Sequence, residues 1–475
     1  MAKTLLDRYT AVGIGGRRES KYNRATAPAL SSNTITSPGT RDIRYGLRPD
    51  LDGIPKPEIT TVDDTDVMNR PWDQPSEIQR VSKIVKVDMT WPRLTLLEAA
   101  IMISMAMSNS NRATQNSPAL TKIMCLPKNE ADDLELYSAC LTVNSKKSAG
   151  VDMAAGTNRH KATHPDATKS ANFNPGIIRA YDGFFVNSFE LSMARGGDRM
   201  YTLTIDGYAS GSFTDAYTFV HTSKYYQNNY AGAAWQTISA ATDLRYKALR
   251  SYVDSRRIQP KSTPYLRGTD AKFWLAFTNE ENSGIGSYVG GNARRITGMA
   301  FGDRSEELAM ENLLPTGSNT KTGPALLDLN NIAHNITISY NNNVDLEDLM
   351  RPGGGDSITA AEKGLSSIEV SMEIELEDYY MFSKLYNQHT VALQMICEPV
   401  KGEQAMTFLF PQMRISENAL GRKGVKRTQT IMLKPLGRSE LYSPMYADFT
   451  MKTADLDGGN LLAVDASGIQ IADRE

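Results

Sequence analysis

The cleanest pattern along the chain is an alternation. Ile368, Val370, Met372, Ile374 and Leu376 are interleaved with Glu369, Ser371, Glu373 and Glu375. Side chains of a strand point to opposite faces in turn, so this stretch predicts a strand with one apolar and one polar, acidic face. Val85, Val87, Met89 and Trp91 alternate with Lys86, Asp88 and Thr90 in the same way, until Pro92 ends the run. Directly afterwards Thr95-Leu96-Leu97-Glu98 fits a capping box, in which Thr and Glu each satisfy an orphan backbone donor of a starting helix. That helix, running to about Met107, is apolar nearly all round and should be buried. After the acidic strand, Glu377-Asp378 opens a second predicted helix with Tyr379, Phe382, Leu385 and Tyr386 on one face.

A hairpin is expected over 181–210. Phe185, Phe189, Leu191 and Met193 punctuate its first strand, with a change of parity or a bulge near Asn187. Gly196-Gly197-Asp198 turns the chain, and Tyr201, Leu203 and Ile205 alternate with Thr202, Thr204 and Asp206 on the return. Further strands are expected at 271–277, 336–340, 391–398, 405–410 and 425–434, with turns at Gly402 and Gly421, and a helix within 235–257. The stretch 144–175, rich in Ser, Lys, Asn and Gly, reads as a long surface loop. Residues 1–80 are dense in Pro, Gly, Ser, Thr and Asp and carry no apolar period, so they read as an extended arm that gains order against a neighbouring subunit.

The strand at 81–91 followed by a helix, and the strand at 368–376 followed by a helix, match in pattern and not in letters. They suggest one β-rich module present twice. The expected divisions are an arm at 1–80, a first module at 81–210, an insertion or junction at 211–325, a second module at 326–455 and a tail at 456–475. A chain of 475 residues exceeds the usual limit of one core, which agrees with two or three domains. A chain with two copies of a module lets a ring of three chains imitate a ring of six.

Composition narrows the function. Apolar content of 40% allows an ordinary core, and a formal net charge of −2 carries no basic footprint of a nucleic-acid binder. Cys125, Cys140 and Cys397 are odd in number and far apart, so they suit reduced thiols better than a disulfide framework or zinc ribbon. No signal peptide is expected at the N-terminus, and the most apolar run, 94–107, is too short to span a bilayer, so no membrane anchor is expected. His160 and His164 have the spacing of a zinc pair, but Lys161 stands where a zinc protease needs Glu. Gly13, Gly15 and Gly16 lack the third glycine of a dinucleotide turn, and Gly353-Gly354-Gly355 lacks the Lys of a phosphate loop. Glu369, Glu373 and Glu375 lie on one strand face and do not confront each other across a cleft, as glycoside hydrolysis requires. The 21 methionines and 21 tyrosines suit core and interface packing better than a cofactor box. No catalytic, cofactor or metal residue is therefore expected, and the chain reads as a structural protein and not an enzyme.

Three stretches resemble the two-domain tail-tube family of tailed bacteriophages. They are Val12-Gly13-Ile14-Gly15-Gly16-Arg17-Arg18-Glu19-Ser20-Lys21-Tyr22-Asn23, the hairpin from Tyr181 through Asp206-Gly207, and the region from Glu369 to Phe449. In the first, Asn23 stands where glycine is usual. The resemblance implies a mainly β (α+β) fold: two tail-tube-type β-sandwich or barrel modules, each with a flanking helix, plus the arm and long loops. It also implies trimeric rings of pseudo-sixfold symmetry, stacked into the conduit for DNA ejection. Implied partners are the chain itself, other tail proteins (tape measure, terminator, baseplate or sheath) and passing double-stranded DNA held without specific binding. The implied location is the virion tail, assembled in the host cytoplasm. Glu369, Ser371, Glu373, Glu375, Thr202, Thr204 and Asp206 are the expected lumen-facing residues. A phage baseplate or receptor-binding β-sandwich protein is the alternative.

Overall fold

The computed structural model describes residues 5–18, 43–50, 57–63, 78–107, 110–114, 119–127, 137–145, 177–194, 200–210, 213–215, 263–277, 326–329, 332–345, 363–376, 390–436 and 443–456. They form a mostly β fold, one large antiparallel sheet wrapped around a buried helix. In chain order the strands are β1 (Leu5–Arg18), β2 (Ile43–Leu47), β3 (Pro57–Asp63) and β4 (Ile78–Trp91), then helix α1 (Leu96–Met107). There follow β5 (Ser110–Thr114), β6 (Leu120–Cys125), β7 (Tyr137–Ser145), β8 (Ile177–Ala194), β9 (Tyr201–Ser210), β10 (Phe213–Asp215) and β11 (Ala271–Phe277). The last are β12 (Leu326–Asp328), β13 (Ala333–Asn341), β14 (Ser367–Glu375), β15 (Thr390–Val400), β16 (Gln404–Lys423), β17 (Lys426–Pro435) and β18 (Tyr446–Lys452).

The expected alternation holds at β4, β9, β13 and β14, where every second residue is buried. The segment 1–80 departs from the expectation of an irregular arm. It supplies β1, β2, β3 and the start of β4, and these pair within the chain, β1 with β2 and β7 and β3 with β4. Backbone pairing has ordered them without the apolar period that the sequence reading looked for. The turns also need one correction. Gly402 turns the chain with a positive φ of 74°, as expected, but the second such turn is Gly424 with φ 66°. Gly421 lies inside β16, where an added Cβ would meet Thr428 Oγ1 at 2.8 Å. The second helix expected over 377–388, the helix within 235–257 and the turn at Gly196-Gly197-Asp198 lie outside the described residues, as does the loop expected over 144–175 apart from Asn144 and Ser145, which end β7.

Helix α1 is enclosed and does not flank the sheet: all twelve of its residues are buried. The helix packs on β8, β18 and β6. The capping box forms as the sequence predicts. Thr95 Oγ1 donates to Glu98 Oε2 at 2.6 Å, and the Glu98 N–H donates to Thr95 Oγ1 at 3.3 Å. One continuous hydrophobic cluster runs through both halves of the chain, from Trp91 and Leu203 to Phe408 and Phe449.

The strand order repeats. β3 pairs with β4, β4 with β9 and β9 with β8; likewise β13 pairs with β14, β14 with β17 and β17 with β16. The β8–β13 ladder joins the two sets into a run β3-β4-β9-β8-β13-β14-β17-β16. A bulge fixes the correspondence. In β8 it falls at Asn187, between the pairs Val186–Gly207 and Ser188–Asp206. In β16 it falls at Ser416, between Ile415–Leu433 and Glu417–Met432. Superposing the bulges sets Gly207 on Leu433, and their partners on the next strand, Val87 and Val370, then coincide, as do Met89 and Met372. Pro57 faces Val85 and Tyr340 faces Ile368 at the same separation along the chain. Bulges redirect a strand and are specified features of a fold, so a matched pair is strong internal similarity.

Candidate functional site: a polar sheet face and its two edges

The face of this run turned away from the core carries all seven residues singled out in the sequence. Asp206 on β9 lies opposite Ser188 on β8, which lies opposite Asn341 on β13, itself opposite Ser367 on β14. The next rung is Thr204, Glu190, Ser339 and Glu369, and the third is Thr202, Ser192, Thr337 and Ser371. Glu373 and Glu375 extend the face toward β17, opposite Thr430 and Thr428. The two separated stretches named from sequence thus sit on one surface, joined by rungs across β8 and β13. Those bridging polar residues were missed. Their signal was available in the alternation Thr337, Ser339, Asn341 and in the parity change at Asn187, which swings Ser188, Glu190 and Ser192 onto the polar side.

The face is acidic but not uniformly so. Lys86 Nζ lies 2.9 Å from Asp88 Oδ2 and 3.9 Å from Asp206 Oδ1, and the Asp88 hydrogen bond raises the Lys86 pKa. Ser188 Oγ donates to Asp206 Oδ2 at 2.9 Å, and Asn335 Nδ2 donates to Glu373 Oε2 at 3.1 Å. Ser188, Glu190, Asp206, Ser339, Glu369 and Lys434 line a shallow groove across the strands. Beside these small and acidic groups the face also carries Lys86, Lys434, Tyr208 and Met432. Glu375 is largely covered. Its side chain is only 12% exposed, with Oε1 3.0 Å from His334 Nε2 and Oε2 paired with Lys426 Nζ. The bulge between Ala333 and Asn335 brings His334 into that contact.

Two edges flank the face. Among the described residues β3 pairs only with β4, and the stretch of β16 beyond Met413 and Arg414 pairs only with β17. Leu420 on that stretch is 61% exposed. No three His, Cys, Asp or Glu side chains among the described residues are placed to hold a metal ion. No described helix is long and apolar enough to cross a membrane. His160 and His164 lie outside the described residues. No protein-family model matches the chain, and no curated protein matches it.

Proposed function

We propose that this chain is a structural subunit of a phage tail tube, in which rings of three chains stack into a conduit for DNA. The observation that carries the reading is the repeated four-strand order. Read as a duplicated module, it gives each chain two equivalent blocks of a wall, and three chains give six. Unsatisfied edge N–H and C=O groups are a liability in a free sheet, and closing the sheet into a ring removes it. The core side of the run carries its buried side chains and meets α1 at β8, so the polar face is the side left for a lumen.

The chemistry of that face supports the reading. A conduit must not hold its cargo, and each phosphate contact with Lys or Arg releases counterions and adds affinity. Hydroxyls, amides and carboxylates from Thr202 to Glu373 offer few such contacts, and Lys86 is engaged by Asp88 and Asp206. The sequence resemblance to tail-tube proteins supplies the identity of the assembly and its tail partners. Electron microscopy of the purified protein, with mass measurement of isolated rings, tests the reading. Stacked rings of three chains are the expected result. A discrete trimer that never stacks would favour the baseplate or receptor-binding alternative, and a six-chain ring would overturn the duplicated-module reading.

A further inference from the structure

The β16–β17 hairpin runs past the sheet that supports it. Its neighbour β14 pairs with β17 as far as the Glu375–Thr428 rung, and beyond that rung the hairpin is two strands wide among the described residues. It closes at Gly424, whose φ of 66° suits glycine, and Arg422 Nε donates to Gly424 O at 2.8 Å, which braces the turn. This projecting end is basic. Residues 418–439 carry Arg422, Lys423, Lys426, Arg427, Lys434 and Arg438 and no Asp or Glu, in a chain whose formal net charge is −2. Arg422 lies opposite Arg427, and Lys423 opposite Lys426. Like charges directly opposed across a ladder destabilise it, so the free chain bears a cost here that an anion would remove. Arg422 and Arg427 are exposed, and among the described residues neither guanidinium is in an ion pair. Lys426 has a counter-charge in Glu375, yet its side chain is still 57% exposed. Adjacent positions of a strand point to opposite faces, so Arg427 and Lys426 put cations on both faces of the ribbon.

We propose that this tip grips the phosphate backbone of double-stranded nucleic acid. The major groove of B-form DNA, about 12 Å wide, admits a two-stranded ribbon, and a phosphate strand runs along each of its walls. Cations on both faces of the ribbon meet both walls, whereas a flat anionic surface would meet the ribbon only at its end. The contacts are to phosphate, so they read no base sequence. Each contact releases counterions, and a tip with four cations makes few of them, so the grip is weak and sensitive to salt. The inference does not depend on the proposed ring. The tip lies beyond the polar face from Thr202 to Glu373, and it adds to that acidic wall one basic point at which DNA is touched.

The test is binding of the full native chain to a fluorescent duplex oligonucleotide, measured by anisotropy over a range of salt. Log affinity is expected to fall against log salt with a slope of about 3 to 4, near 0.9 for each neutralised phosphate, and equally for duplexes of unrelated sequence. Arg422→Gln with Arg427→Gln is expected to lower the slope by about two and to weaken binding at least about ten-fold at about 50 mM salt. Its unfolding midpoint should be no lower than native, because the opposed charges are gone. In the native chain, arginine modification mapped by peptide mass should show Arg422 and Arg427 protected by the duplex. No binding at low salt, an unchanged slope in the double variant or unprotected arginines would overturn the proposal. So would tighter binding to phosphatidylglycerol vesicles that is lost in Val425→Asp, since Val425 is 93% exposed at the turn and suits a lipid surface. Stacked rings without DNA binding would remove this site and leave the proposed function standing; DNA binding by a chain that never forms rings would do the reverse.

Discussion

The side-chain amide of Asn342 donates a 2.7 Å hydrogen bond to the carbonyl oxygen of Ala106, 236 residues earlier in the last turn of α1. The same amide reaches Val186 O at 3.3 Å, beside the bulge of β8, and its own oxygen accepts from Tyr340 Oη at 2.9 Å. The carbonyls at the end of a helix have no partner within it, and here the second half of the chain provides one. Asn342 is fully buried, so one amide ties the helix, the first block and the second block together.

Asn342→Ala should therefore cost more than a surface change. It leaves the buried Ala106 carbonyl without its side-chain partner, at about 1–3 kcal/mol for an unsatisfied group, and leaves the Tyr340 hydroxyl with the longer 3.4 Å contact to Ser366 Oγ. Denaturant unfolding should show the loss as a lower midpoint. A midpoint within error of the native protein would mean that water or a rearranged side chain satisfies the Ala106 carbonyl.

The acidic residues of the polar face should separate into two kinds. Glu369→Lys with Glu373→Lys is expected to change stability by less than about 1 kcal/mol, as most surface substitutions do. Glu375→Lys is expected to cost on the order of 3 kcal/mol, because it sets a like charge against Lys426 and takes the carboxylate away from His334 in a largely covered pair. If the face lines a lumen, the Glu369/Glu373 double variant should also slow DNA ejection, most strongly at low salt where screening is weak. Native ejection rates in low salt would remove the lumen assignment.

Alkaline pH should destabilise the fold. Burial pushes the Cys397 thiol up to about 12, with the nearby Asp270 charge adding to the rise, and burial likewise pushes the Tyr340 hydroxyl up to about 12. The unfolded chain loses these protons near its ordinary values of about 9 for the thiol and 10 for the phenol, while the folded chain still holds them. The unfolded state thus binds fewer protons, and stability falls as pH rises from about 9 toward 12, by roughly 1.4 kcal/mol per unit for each group. Unfolding midpoints measured from pH 8 to 11 should decline, less steeply in Cys397→Ala. The thiols of Cys125 and Cys397, both buried, should resist alkylation at pH 8 until the protein unfolds.

The start of α1 offers a fourth check. Glu98 accepts from Thr95 Oγ1, from the Thr95 N–H at 3.3 Å and from the Arg48 N–H at 3.1 Å, so one buried carboxylate serves the cap and the segment after β2. Glu98→Ala should exceed the roughly 1 kcal/mol of an ordinary lost cap, since two backbone donors lose their acceptor. Thermal unfolding of Glu98→Ala beside Thr95→Ala distinguishes the two contributions, with the larger loss expected for Glu98→Ala.

Much of this was legible from residues close in sequence. Val85 to Trp91 and Ile368 to Leu376 announce strands because one face meets a core, and Thr95 to Glu98 announces a helix because capping is a contact over three residues. Long-range facts were not legible. Nothing near Pro57 shows that β3 pairs with β4, because backbone pairing demands little of side chains. Nothing near Glu375 shows His334, because a bulge in another strand brings it there. The seven polar residues were picked by alternation alone. That β8 and β13 join them into one face depends on ladders spanning more than a hundred residues.

β16 runs for twenty residues, its first half paired with β15 and β18 and its second half with β17. β8 behaves alike, paired with β7 and β10 before Phe185 and with β9 and β13 after it. In each repeat, then, a pull on the strands of the polar face passes to the strands paired with the first half along an unbroken peptide backbone and not through contacts between side chains. Sliding one set of strands past the other would have to tear ladder hydrogen bonds along the strand they share. The fold is built to carry shear.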